Sequence, residues 1–155
     1  MNNYTSLVDI LIKDETVGKP QHERVLILSN TPKVLLSNGF DELPLVMTGK
    51  VLSKAVFDHG ISTNILKRLP SIIANPKCIF KSANIEFIDT VVVLTIEIHN
   101  LSPIVIPIKK NQMIGRSNKY NLVASVYGKQ GANPEHKWKR DGLLLWDSKT
   151  NRLKF

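Results

Sequence analysis

The spacing of apolar residues along the chain changes from helical to alternating just after residue 75. Before that point, residues 7–12 and 24–29 read as short β-segments, separated by polar DETVGKPQHE, whose Gly18 and Pro20 mark a loop. In TPKVLLSNGF, Thr31 suits a cap, Pro32 the first helical position and Gly39 the stop, so one or two helical turns are expected. Across residues 48–59, Val51, Leu52, Ala55 and Val56 fall at helical spacing, and Gly60 ends the helix. A second helix over 63–74 takes Ser62 as cap and buries Ile65, Leu66, Leu69, Ile72 and Ile73. Pro70 kinks or splits it, and Asn75-Pro76 terminates it.

From Cys78 the pattern is β. Residues 78–81 form a short strand and residues 90–99 a longer one, with Leu94, Ile96 and Ile98 on one face and Thr95, Glu97 and His99 on the other. Asn100-Leu101-Ser102-Pro103 is a turn. Ile104, Ile106 and Ile108 then alternate with Val105, Pro107 and Lys109. Pro107 cannot donate to a ladder, which predicts an edge strand or an interruption. Residues 110–119 read as a polar loop, 122–127 as a strand and 134–140 as a short helix capped by Asn133. Residues 143–146 and 152–155 read as the arms of a closing hairpin. Helices followed by an antiparallel meander make an α+β pattern.

With 155 residues, 43% hydrophobic and 22% charged, the chain fits one globular domain, 1–155. Cys78 is the only cysteine, so neither an internal disulfide nor a cysteine zinc site is expected. The start, MNNYTSLVDILIKDE, lacks a basic n-region, and Asp9 and Lys13 break its apolar run, which argues against a secretory signal. Apolar stretches such as 91–96 are too short for a membrane span. The chain therefore reads as soluble, and any delivery into another cell would need an address carried elsewhere.

Charge is distributed unevenly. Residues 1–108 hold ten Lys/Arg and ten Asp/Glu. Residues 109–155 hold eleven Lys/Arg against three acidic residues, which accounts for the net +8. Such a block suits a phosphate backbone or an acidic protein partner; the plainer alternative is a solvated basic face. There is no GxxxxGK[ST], no GxGxxG after a strand, no HExxH and no paired acidic motif, so neither a cofactor nor a metal is expected.

Several segments in order resemble the C-terminal domains of phage MuF-type proteins, within the barnase–EndoU–colicin–RelE-like nuclease class. They are ILSNTPKVLLSNGFDELPLVMT, DHGI, LKRLPSIIANPKCIFKS, VVVLTIEI, PIVIPI, ASVYGK and WKRDGLLLW, from about Val25 to Trp146. The resemblance implies N-terminal helices packed on a twisted antiparallel sheet over 25–155, with 1–24 as an N-terminal extension carrying a short strand. It also implies metal-independent cutting of tRNA or other cellular RNA by a toxin, with the cytoplasm as its place of action; because a toxin needs a neutraliser, an acidic immunity or antitoxin protein is the corollary partner. Two alternatives stand beside it. One is a non-catalytic module of the same fold that binds nucleic acid or protein. The other is a transferase-type toxin, for which no Arg…Ser-Thr-Ser…Glu constellation is evident.

Metal-free RNA cleavage needs a base for the 2′-OH, an acid for the leaving 5′-oxygen and a cation for the phosphorane. Histidine titrates in the right range. His59, at a helix end before Gly60, is the first choice, and the resemblance also places a His there; alternatively it only caps the helix. His99 beside the 100–103 turn, His136 and His22 read as surface residues. Lys81 and Ser82 at the end of the 78–81 strand form a second catalytic group. Ser125, Tyr127 and Lys129 form a third, sharing one face if 123–129 stays extended. Lys137, Trp138, Lys139 and Arg140, with Arg116 and Lys119, are the candidate RNA-binding residues; Trp138 would stack a base unless it anchors its helix to the core. Glu97 is either a base or an ion-paired surface group.

Overall fold

The computed structural model describes residues 3–116 and 118–152. The first element is a helix, α1 (Tyr4–Thr16), where a short strand was expected over 7–12. Tyr4, Leu7, Val8 and Leu11 recur at three- and four-residue intervals and are all buried. The apolar run 7–12 looks β-like only if Tyr4 is left out. The Asn3 side chain caps the helix by accepting from the Ser6 N–H, and the Tyr4 hydroxyl donates to the Leu66 carbonyl. Residues 4–16 are thus built into the core rather than appended to it.

Strand β1 (Val25–Asn30) pairs antiparallel with β2 (Pro44–Thr48), a strand that sequence reasoning missed because PLVM is too short to show a period. Between them α2 (Lys33–Leu36) makes one turn. Thr31 does not cap it; its hydroxyl donates to Leu43 O and accepts from the buried Asn121 amide. The expected helix over 48–59 is α3 (Gly49–Ser53), capped by Thr48, running into a π-helical turn (Lys54–Asp58). Gly49 is obligatory, since a Cβ there would lie 2.0 Å from the Gln21 carbonyl oxygen. The second expected helix is split at Arg68 into α4 (Thr63–Lys67), capped by Ser62, and α5 (Leu69–Ala74), with Pro70 in its first turn.

The rest is a mixed eight-stranded sheet. To β1 and β2 it adds β3 (Cys78–Lys81), β4 (Thr90–His99), β5 (Ser102–Ile114), β6 (Asn118–Val123), β7 (Tyr127–Gly128) and β8 (Leu144–Asp147). The order is β1-β2-β6-β5-β4-β3-β8, with β7 continuing alongside β5. All pairs are antiparallel except β2 with β6, which corrects the expectation of a purely antiparallel sheet. The fold is α+β.

Three further expectations are corrected. Residues 110–119 are mostly strand, because β5 runs on to Ile114 and β6 starts at Asn118; their polarity reflects a hairpin whose described residues are mostly exposed. At Pro107 the edge is corrected and the interruption holds: the residue sits in the interior of the sheet, opposite a break in the neighbouring ladder. Its carbonyl accepts from Ala124 N, so its missing donor faces the gap between β6 and β7, where no ladder bond is needed. β8 pairs with β3 rather than closing a C-terminal hairpin, and α7 (Ser148–Arg152) follows it. The rest of the expected second arm, 153–155, lies outside the described residues.

Alternation along the strands divides the core. Leu26, Met47, Ile79, Val93, Ile104 and Ile106 face the helices α1 to α5. Cys78, Phe80, Leu94 and Val105 face the other way, where α6 (Pro134–Arg140) covers them through Trp138. No helix among the described residues is long and apolar enough to cross a membrane.

Candidate active site

Two irregular segments and a tight hairpin meet at one end of the sheet. In the π-helical turn the His59 N–H reaches back to Lys54 O at 2.9 Å, a five-residue step, and Gly60 at φ +67° lets the chain turn away. This leaves His59 half-buried at the end of the turn. Strands β4 and β5 are joined by Asn100 and Leu101, at φ +49° and +66°, a two-residue turn of the type that requires positive φ at both positions. The turn pairs His99 with Ser102. Alongside, β7 pairs Tyr127 with Val105 and Gly128 with Ile104, and the Lys129 N–H donates to Pro103 O at 2.8 Å.

These elements surround an open cavity of about 430 Å³. Asp58, His59, His99, Tyr127 and Lys129 are among its walls. The ring centroids of His59 and Tyr127 are 6.0 Å apart, at 48° to each other. Two glycines lie against the hairpin, at ordinary contact distance. A Cβ on Gly60 would meet the His99 ring at 3.5 Å, and one on Gly128 would meet His99 O and Ser102 Cβ at 3.4 Å. Asn100 Nδ2 lies 3.2 Å from His99 Nε2; with the amide as donor, that nitrogen is the acceptor and the neutral ring carries its proton on Nδ1. Burial pushes the Tyr127 phenol above its ordinary value, so near neutrality it is a protonated donor. Lys129 is half-buried and has no ion-pair partner among the described residues.

Of the sequence candidates, His59, Tyr127 and Lys129 come together here. Ser125 does not join them. Between Val123, opposite Ile108, and Tyr127, opposite Val105, one extra residue is inserted. Val123 and Val126 are both buried against the helices although three residues apart, so period two fails between them, and Ser125 is not among the residues that line the cavity. Lys81 and Ser82 lie at the opposite end of the sheet. Lys81 pairs with Val91, eight residues from His99 along β4, roughly 25 Å at about 3.3 Å per residue. His99, read from sequence as a surface residue, is the functional candidate that reasoning missed. Its signal was the short turn after it, which returns the chain so tightly that His99 borders β7.

The expected RNA-binding block is dispersed. Arg116 and Lys119 lie at the far end of the β5–β6 hairpin, twelve or more residues along β5 from Ser102. Trp138 packs edge-on against Phe80, with centroids 5.2 Å apart, and so anchors α6 instead of offering a stacking face. Lys137 is bound to Asp141. Lys139 bridges Glu135 and Asp147, at 2.8 Å from each, and Lys77 holds the other Glu135 oxygen. Arg116, Lys119 and Arg140 are exposed with no ion pair among the described residues. Glu97 is ion-paired to Arg68. His22 contacts Glu15, and His136 is exposed on α6.

Cys78, Glu135 and Asp147 also bring potential ligand atoms within 4.8 Å of one another. The Lys139 ammonium, hydrogen-bonded to both carboxylates, already supplies their positive charge and holds both below the usual carboxylate range. Burial, reinforced by Asp147 and Glu135, pushes the Cys78 thiol up to about 11. A thiol kept protonated is a poor ligand and a poor nucleophile, so the cluster is an ion network that ties α6 to β8.

A family profile described as the Phage MuF-C-terminal domain matches residues 50–152, well over half of the chain, including His59, His99, Tyr127 and Lys129. No curated protein matches the chain, and no solved structure does.

Proposed function

The chain belongs to the phage MuF C-terminal domain family, and from that premise we propose that it is a metal-independent endoribonuclease toxin of the barnase–EndoU–colicin–RelE-like class. The observation that carries this reading is the convergence of two of the four histidines, His59 and His99, with Tyr127 and Lys129 in one cavity. The chemistry uses what those groups offer. One imidazole takes the proton of the substrate 2′-OH, whose oxygen attacks the adjacent phosphorus. The other protonates the departing 5′-oxygen. The Tyr127 phenol donates to a non-bridging oxygen, and the Lys129 ammonium faces the charge that builds on the phosphorane. The products are a 2′,3′-cyclic phosphate and a 5′-hydroxyl. Cellular RNA, tRNA included, is the substrate class.

The test is purified protein with total RNA in EDTA, followed by end analysis, for the wild type and for His59→Ala and His99→Ala. Each substitution is expected to slow cutting by about 10²–10⁴-fold with the melting temperature unchanged. Cutting that stops in EDTA and returns with Mg²⁺ defeats the metal-free chemistry. A folded double variant that cuts at the wild-type rate defeats the assignment of the site.

A further inference from the structure

A second cavity, of about 330 Å³, lies on the other side of the β4–β5 hairpin tip. It shares Lys129 and Ser102 with the candidate active site. Its size is at the lower end of the range for small-molecule sites, about 300–1,000 Å³. One wall is apolar: Leu94 at the base, then Ile98, Leu101, Pro103 and Pro134. Two of these side chains are displayed to solvent, Ile98 at 63% and Leu101 at 97% exposure. Leu101 is held with φ at +66°, a conformation that L side chains other than Asn and Asp rarely adopt. The turn would form more readily with Asn or Gly at this position, so its backbone does not call for a leucine.

The rest of the cavity is polar in a limited way. Lys77 is neutralised by Glu135. Asn133 spends its side-chain oxygen on the Glu135 N–H, which leaves its amide nitrogen without a partner among the described residues. The Thr95 hydroxyl is spent on Ile104 O and Glu97 N. The cavity therefore offers an apolar wall and one free amide donor, with the Lys129 ammonium and the Ser102 hydroxyl at the boundary with the active-site cavity.

We propose that this second cavity is a nucleobase subsite, which takes the base of the nucleotide next to the phosphate held by Lys129. The proposal rests on reading the neighbouring cavity as the RNA-cleaving site. A phosphate on Lys129 carries a nucleoside on each side, and only one of the two can lie over His59 and His99. The other is directed past the hairpin tip, where Ile98 and Leu101 meet the face of its base and the Asn133 amide donates to an acceptor on its edge. The same cavity fits inorganic phosphate poorly, because its second lysine is already paired and its wall is apolar.

The experiment is a methyl and side-chain-amide NMR titration of the whole chain with the four nucleoside 3′-monophosphates, ribose 5-phosphate and inorganic phosphate. At least one nucleoside monophosphate should shift the Ile98, Leu101 and Leu94 methyl signals and the Asn133 amide. The two base-free probes should perturb only signals near Tyr127 and Lys129. Ile98→Ser with Leu101→Gly should weaken that nucleotide at least five-fold while leaving the phosphate response as it was; unchanged signals from distant core methyls report that the variant is folded. If ribose 5-phosphate moves the same signals with the same affinity, or no probe moves them, there is no base subsite. RNA cutting by the same preparation is read separately. Nucleotide shifts without cutting sink the ribonuclease reading and leave the subsite standing; cutting without shifts does the reverse.

Discussion

Replacing Lys139 with methionine keeps the length and apolar stem of the side chain and removes the ammonium that joins Glu135 to Asp147. The side chains of Glu135 and Asp147 are only 13% and 9% exposed, and that of Lys139 is 33% exposed. Ion pairs at the surface contribute up to about 1 kcal/mol. Removing one partner of a fully buried pair costs about 3–5 kcal/mol, because the other charge is stranded. Here two carboxylates are stranded, but Lys77 remains on one and the site is partly open, so the expected loss is about 2 kcal/mol. For a chain of this size that is a fall in Tm of about 4–8 °C. The loss should depend on pH. Glu135 and Asp147 are depressed by the Lys139 hydrogen bonds. Their contribution is therefore present above the ordinary carboxylate values, about pH 4, and disappears as the pH falls through the lower folded values. Lys139 is shifted up by the same bonds. Its contribution is present below its ordinary value of about 10.4 and is lost only in strong alkali. The accessible window is acidic, so the deficit of the variant should be full at pH 7 and shrink towards pH 3. Thermal and urea unfolding over that range measure it. Lys137→Met, which breaks only the exposed i,i+4 pair with Asp141, is the control, at about 0.5 kcal/mol or less. Equal melting temperatures at pH 7, together with a flatter salt dependence of RNA binding, would show that Lys139 is a phosphate contact and refute the structural reading.

Gly49→Ala places a methyl 2.0 Å from the Gln21 carbonyl oxygen; a loss of several kcal/mol in urea unfolding is expected, of about the size that overpacking and backbone shifts produce, and a neutral effect would contradict the close approach. Leu101→Asn puts a residue that tolerates the left-handed region in place of one that does not and should raise stability by about 0.5–1 kcal/mol; a lower Tm would mean that Leu101 holds the hairpin. Lys81→Ala, at the far end of the sheet, should cut RNA at the wild-type rate, and a ten-fold loss would return Lys81 to the site.

Much of the helical half was legible because its signals are local. Thr48, Ser62 and Gly60 mark the ends that they form, and Pro70 lies where the second helix divides. His59, Tyr127 and Lys129 could be picked out by chemistry. What the sequence concealed depends on pairing. Pro107 argues for an edge until β6 and β7 are seen to part opposite it. Residues 110–119 look like a loop because a mostly exposed hairpin has no buried face to impose an apolar alternation. The cations of the C-terminal third look like one surface because they are close in sequence, yet two of them are bound to acidic residues within or beside α6. His99 looks ordinary until the β4–β5 turn folds it beside β7.

The groups proposed to act on RNA all sit where the regular structure is broken. The π-turn inserts a residue before His59. In β4, the four steps from Leu94 to Ile98 oppose only two on β5. The Thr95 hydroxyl donates to Ile104 O inside that bulge, and parity is preserved, so His99 keeps the helix-facing side. A one-residue bulge before Tyr127 acts in the opposite sense and changes parity, turning Tyr127 away from the face that Val126 buries. The one-residue bulge re-aims Tyr127, while the β4 bulge leaves His99 on its side, and neither alters the strand order. Bulges and π-turns are common next to functional sites for this reason. Here three of them, with the left-handed turn at Asn100 and Leu101, converge on the two cavities that share Lys129. Without its bulge Tyr127 would lie on the helix-facing side with His99; with it, the two side chains leave opposite faces of the sheet and meet at its end, around the hairpin tip. The irregularities, more than the basic composition, are what assemble a candidate site from three separate stretches of chain.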